Sequence, residues 1–289
     1  MMKTQGAILL LTVAAVSCGC LVCPVTWVGA IGTPGSGRVV EETHRVSDFT
    51  GVEMATIGNL HIEVGEREGL RIEAEDNLIK YFEIDVRNNT LRIRTRPGVA
   101  LRPTRPVNFY LTVKELDTIW ISGSGDVHAP DLAAEHFFVS ISGSGDLDAG
   151  DLSGDEVEAR IAGSGNLTVD GIEAQKYTIT ITGSGDAEIE DLDVNALEVE
   201  ITGSGSLDIQ DGQVKGQRIS LTGSGDYSAQ HLESQEADVR ITGSGGVTVQ
   251  VGEQLDARIL GSGNVHYAGS PRITQSVTGS GDVVRIGNQ

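Results

Sequence analysis

An acidic residue returns at a fixed place along much of this 289-residue chain. Asp126, Asp146, Asp186 and Asp226 each follow a Gly-Ser-Gly triplet, and Asp131, Asp151, Asp191 and Asp211 mark a second corner a little further along. Stacked carboxylates of this kind are what hard cations such as Ca²⁺ take as ligands. The equivalent places on other repeats are held by Asn166, Ser206, Gly246 and Asn264, so no repeat carries a fixed ligand set. Asp, Asn and Ser also cap turns by accepting backbone N–H bonds, which accounts for these exchanges. Asp126, Asp146, Asp186 and Asp226 are therefore only weak candidates for Ca²⁺, and neither a metal nor a cofactor is expected.

Catalysis asks for acids, bases or nucleophiles that converge once. The histidines, His44, His61, His128, His136, His231 and His266, do not recur in one column, and the aspartates recur on repeat after repeat instead of marking one. Sugar-processing clefts add aromatic platforms, and here only Trp120 and Tyr110 read as outward aromatics near one place. The three cysteines, Cys18, Cys20 and Cys23, all fall in an apolar leader, so the rest of the chain has no thiol for a disulfide, a zinc site or a nucleophile. No catalytic residue is assigned.

What positions these residues is the triplet itself. Gly-Ser-Gly starts at Gly123, Gly143, Gly163, Gly183, Gly203, Gly223, Gly243, Gly261 and Gly279, with six spacings of 20 residues and then two of 18. A fixed period of this length signals stacked units that cannot bury an apolar face alone. Two positions before each triplet runs an apolar column, Ile121, Ile141, Ile161, Ile181, Ile201, Leu221, Ile241, Ile259 and Val277. A second lies two residues earlier and is broken only at Gln275; the residues between the two columns are mostly polar. Alternation of period two places one side of a strand inside and the other in water. A second strand follows each triplet, with Val127, Leu147, Leu167, Ala187, Leu207, Tyr227 and Val247 inward. Of 38 glycines, 18 lie in register inside the triplets, so their abundance reflects corners and not a flexible linker.

The predicted fold is all-β, a single-stranded right-handed parallel β-helix (β-solenoid) of about 20 residues per rung, the hand following the general rule for parallel connections. Residues 1–30 read as a signal peptide or lipoprotein leader, with Val28-Gly29-Ala30 before a cleavage site and Ala15-Val16-Ser17-Cys18 resembling a lipobox; Cys18 is the lipidation candidate. Residues 31–45 read as a tether and residues 46–286 as the β-helix, with irregular opening coils and a cap over 46–116 and Gly-Ser-Gly rungs over 117–286. Within the opening, Asn88-Asn89 is a predicted turn between strands and Asn77 to Tyr81 a single helical turn. A net charge of −20 makes nucleic acid and anionic lipid poor partners, leaving a membrane contact only through an N-terminal lipid anchor.

The tandem Gly-Ser-Gly-Asp/Asn corners, preceded by a β-rich stretch that begins near Phe49-Thr50-Gly51-Val52 and contains Leu60-His61-Ile62-Glu63-Val64, resemble the putative auto-transporter adhesin head GIN domain family. The resemblance runs from about Val46 to Ile286. It implies a bacterial, exported right-handed β-helix with an adhesive role and no known enzyme activity, and it supplies no catalytic residues to carry over. Gly246 and Ser206 at the Asp position, and the 18-residue rungs, depart from a uniform ladder. The reading is a non-enzymatic cell-envelope scaffold in the periplasm, outer membrane or cell surface, binding a glycan or protein ligand. A carbohydrate-active β-helix protein and a structural envelope lipoprotein are the alternatives.

Overall fold

A hydrogen is the largest substituent that either glycine of a Gly-Ser-Gly corner can hold. In the computed structural model, which describes residues 32–287, the N–H of the triplet serine donates to the first glycine carbonyl of the preceding rung: Ser184 to Gly163, Ser204 to Gly183 and Ser224 to Gly203, each at 2.9 Å. That carbonyl sits where a side chain would begin. A Cβ on Gly203 would lie 2.3 Å from the Gly183 oxygen, and one on Gly205 would lie 2.2 Å from the Gly185 oxygen. Gly203 also has φ +126°, a region that L side chains rarely enter.

Between corners the chain runs as long strands, Leu147–Gly163, Leu167–Gly183, Ala187–Gly203, Leu207–Gly223, Tyr227–Gly243 and Gly246–Gly261, each paired in parallel with the next. The fold is thus the predicted parallel β-solenoid, with Ile161 beside Ile181, Ile201 and Leu221 in one column. Each rung has three straight segments, not two. Between Leu167–Gly183 and Ala187–Gly203 the pairing lapses at Asp170 and again at Gln175, where the strand bends. The bends bring two further columns inward: Ala174, Val194 and Val214 in one, and Val157, Tyr177, Leu197, Gln217, Ala237 and Leu255 in the other. In the Leu167–Gly183 rung seven apolar side chains are buried, each large one contributing about 1.5–3 kcal/mol. Since each rung contributes this only against its neighbours, stability is a property of the stack.

A linked run of polar side chains crosses the core at one level. Tyr227 donates to Gln217 Oε1 at 2.8 Å, Gln217 Nε2 donates to Ser234 Oγ at 2.8 Å, and Ser234 donates to the Gln250 carbonyl at 2.6 Å. This chain of bonds spans the place where register slips between Ala229 and Glu236, the point at which the period shortens. Burial raises the Tyr227 phenol far above its ordinary value, which favours the neutral form that donates.

The opening is built out of chain order. Gly51–Ala55 pairs in parallel with Thr118–Ile121 on one side and Thr90–Thr95 on the other, while Asn59–Val64 lies between Asp126–Ala129 and Asn108–Val113. The rung formed by residues 51–64 thus lacks a triplet and is sandwiched between later segments. Over it, Phe82–Arg87 and Thr90–Thr95 form an antiparallel hairpin, turning at Asn88 and Asn89 with φ 51° and 60°, the left-handed pair that a two-residue hairpin turn uses. A 3₁₀ turn spans Ile79–Tyr81, within the predicted helical turn.

The predicted tether over 31–45 is corrected by the described part of that segment. Thr33–Pro34 pairs with Leu101–Arg102, and Val39–His44 pairs antiparallel with Gly69–Glu75. The cause is Glu75, fully buried, whose carboxylate accepts the Gly37 N–H at 2.5 Å, the Thr104 N–H at 2.9 Å and the Thr104 hydroxyl at 2.6 Å. Gly35 has no room for a Cβ against the same carboxylate. Glycines that suggest slack in the sequence are there to let the chain close on an anion. The leader and Cys18 lie outside the described residues.

Two outcomes follow from this packing. Gly205→Ala, with its Cβ against the Gly185 carbonyl and Ile181, is expected to destabilise by about 2–3 kcal/mol, whereas Gly216→Ala, whose Cβ enters open space, should be neutral or slightly stabilising; equal urea midpoints for the two variants would refute the corner argument. At Glu75 the Thr104 hydroxyl, joined by the N–H groups of Thr104, Gly37 and Arg105, holds the carboxyl below its usual range against the opposing effect of burial. A folded-state value below the unfolded one stabilises above the unfolded value and is lost as pH falls through the folded one. The melting temperature of Glu75→Gln should therefore lie below wild type at neutral pH and converge with it in acid; a gap that persists or widens in acid would contradict this.

Candidate functional site

Outward side chains on the straight segments are free to vary, because the fold constrains the inward columns and the corners. In one outward column Glu53, Trp120, Ser140, Arg160, Thr180, Glu200 and Ser220 stand in register, and Trp120 is the aromatic among them. Trp120 projects from Thr118–Ile121 between the buried Ile119 and Ile121. Its six-membered ring leans over Gly51 on the adjacent strand, where a Cβ would come within 3.0 Å of Cζ3. A bare glycine gives the ring its seat. Phe138 lies beside it, ring centroids 6.2 Å apart at 59°, and the Arg160 guanidinium covers Phe138 at 5.4 Å.

Around Trp120 opens a groove of about 560 Å³. Ser122, Ser140 and Ser142 line one part, and the hairpin supplies Arg87, Asn88, Thr90 and Arg92 to the other. The guanidiniums are already matched by carboxylates: Arg92 Nε is 2.8 Å from Glu53 Oε2, Arg87 Nε is 2.5 Å from Asp85 Oδ2, and Arg160 Nε donates to Glu158 Oε1 at 2.7 Å. The groove has polar rims, an aromatic wall and near-balanced charge.

Tyr110 does not join Trp120. It lies on the face after the corner, stacked on His61 at 5.2 Å, with His61 stacked on His128 at 5.1 Å and the Arg71 guanidinium 4.0 Å from the Tyr110 ring centroid. Burial, and then the neighbouring His128, lower the His61 pKa. His266 occupies the same outward column far down the stack, so three of the six histidines do align. The His61–His128 adjacency was hidden because His61 belongs to the rung without a triplet.

The aspartate ladder has a different geometry from a capped turn. Oδ1 of Asp126 accepts the backbone N–H of Asp146 at 3.1 Å, that of Asp146 the N–H of Asn166 at 2.7 Å, that of Asp186 the N–H of Ser206 at 2.8 Å, and that of Asp226 the N–H of Gly246 at 2.7 Å. Each side chain caps the next rung, not its own. Asn166 does the same for Asp186 at 3.1 Å, so the acceptor oxygen matters and the charge does not. Among the described residues no three His, Cys, Asp or Glu side chains gather around space for an ion.

A family model described as putative auto-transporter adhesin, head GIN domain, matches residues 48–211 and 161–271. No curated protein matches the chain. Among solved structures, a putative adhesin from Parabacteroides distasonis is similar at 21% identity and TM-score 0.68, covering 88% of this chain and 100% of its own. A putative adhesin from Parabacteroides merdae matches at 21% identity and TM-score 0.67, over 88% of this chain and 99% of its own. A protein named as a putative lipid binding protein from Parabacteroides distasonis matches at 24% identity and TM-score 0.68, over the same shares of 88% and 99%. At these identities the likeness is one of fold.

The ladder makes a direct prediction. Asp146→Asn, which keeps an acceptor for Asn166, should melt with wild type, while Asp146→Ala should melt lower; millimolar Ca²⁺ should move neither curve. A Ca²⁺-dependent rise that Asp146→Asn abolishes would instead establish a cation site.

Proposed function

We propose, from the premise that this chain belongs to the putative auto-transporter adhesin head GIN domain family, that it is a non-enzymatic binding scaffold of the cell envelope. Its leader, whether cut after Ala30 or lipidated at Cys18, directs the solenoid to the periplasm, outer membrane or cell surface. The observation that carries the reading is the separation of roles within a rung. Inward columns and corner glycines hold the fold, so outward positions such as Ser140, Arg160, Thr180 and Glu200 change character from rung to rung while their backbones stay in register. A long surface of fixed geometry and variable chemistry suits recognition of an extended ligand.

The repeating outward acids do not build the single converging constellation that hydrolysis of a polysaccharide requires. Full-length protein immobilised against glycan arrays and extracellular-matrix proteins should retain a ligand saturably and release no new reducing ends from any bound polysaccharide. Turnover of a polysaccharide would overturn the scaffold reading in favour of a carbohydrate-active one, and absence of any retained ligand would favour a purely structural role.

A further inference from the structure

We propose that the groove beside Trp120 is a binding subsite for a neutral glycan chain. This assignment rests on the scaffold reading and narrows it to one place and one ligand class. A hexose ring has an apolar C–H face and a rim of hydroxyls, so it needs an aromatic surface flanked by small polar side chains. Trp120 supplies the surface, seated over Gly51, and Ser122, Ser140, Ser142 and Asn88 supply donors and acceptors beside it. The groove volume of about 560 Å³ falls within the span of small-ligand sites.

Charge and topology narrow the ligand further. The guanidiniums of Arg92, Arg87 and Arg160 are engaged by Glu53, Asp85 and Glu158, and the chain as a whole carries −20. A carboxylated or sulfated sugar would meet guanidiniums whose charge a neighbouring carboxylate already offsets, on a chain that is acidic overall. A peptide could not add as a strand here, because Thr118–Ile121 is already paired on both sides, with Gly51–Ala55 and His136–Ile141.

Trp120 is itself the reporter. The sequence has two tryptophans, Trp27 and Trp120, so full-length Trp27→Phe leaves Trp120 as the sole indole. Titration of that variant with cellohexaose, maltohexaose and mannohexaose should give a saturable shift in emission with at least one of them, and tri-galacturonate should give none. By calorimetry on the otherwise native chain, Trp120→Ala should weaken that binding at least tenfold, as should Ser142→Arg, which obstructs the groove with Trp120 intact. Should Trp120→Ala misfold, Ser142→Arg decides. No emission shift with any neutral hexaose, or a shift with tri-galacturonate alone, overturns the assignment. A hexaose held equally by wild type and both variants overturns the groove while leaving the scaffold reading in place.

Discussion

Everything in this molecule depends on a carbonyl oxygen occupying the space that a methyl group would take in any other residue. At each Gly-Ser-Gly corner the first glycine oxygen receives the serine N–H of the next rung, and it can do so only because the first glycine of that rung has no Cβ; the second glycine lies in the same way against the second glycine oxygen. The corner is therefore a requirement between rungs, not within one. A turn chosen only for its own conformation would tolerate occasional Asn or Asp in place of glycine; this one does not, because the steric conflict comes from the neighbouring coil.

Given those corners, the rest of the rung is permissive. Apolar size varies along a column, from Ala159 to Ile179 and from Leu207 to Tyr227, and the core even takes Gln217 when Tyr227 and Ser234 meet both ends of its amide. Tyr177, equally buried, has no hydrogen-bond partner for its hydroxyl among the described residues. The contrast shows that a polar atom is tolerated inside the stack on two terms: full satisfaction at the register slip, or a large aromatic body around a lone hydroxyl.

How legible all this was depended on whether neighbours in space were separated by the period. Ile161, Ile181 and Ile201 repeat at equal intervals, so their column could be read directly, as could the Asn88-Asn89 turn, whose chemistry is local. Partners in the opening are unequally spaced, Gly51 meeting Thr90 and Thr118, and Asn59 meeting Asn108. No periodic test finds these. The third segment of each rung was missed because Lys176, Ala196 and Gly216 share no property, leaving Tyr177, Leu197 and Gln217 looking like scattered residues. Trp120 was visible as an outward aromatic, but the bare Gly51 beneath it and the hairpin beside it were not, since both arrive from the part of the chain without a repeat. The glycines that Glu75 anchors were read as part of a tether for the same reason: a carboxylate that organises distant amides leaves no local signature.

The interleaving of the opening rung has a temporal consequence. As the polypeptide emerges from its N-terminus, Gly51–Ala55 appears early but has no finished neighbour on either flank until Thr90–Thr95 and Thr118–Ile121 have followed. The regular coils beyond, each needing only the one before it, can zip locally. Assembly of this molecule therefore cannot be strictly vectorial: the first strand of its opening rung must wait as a guest to be enclosed by hosts made after it, and the closing of that clasp is a long-range event in an otherwise short-range process.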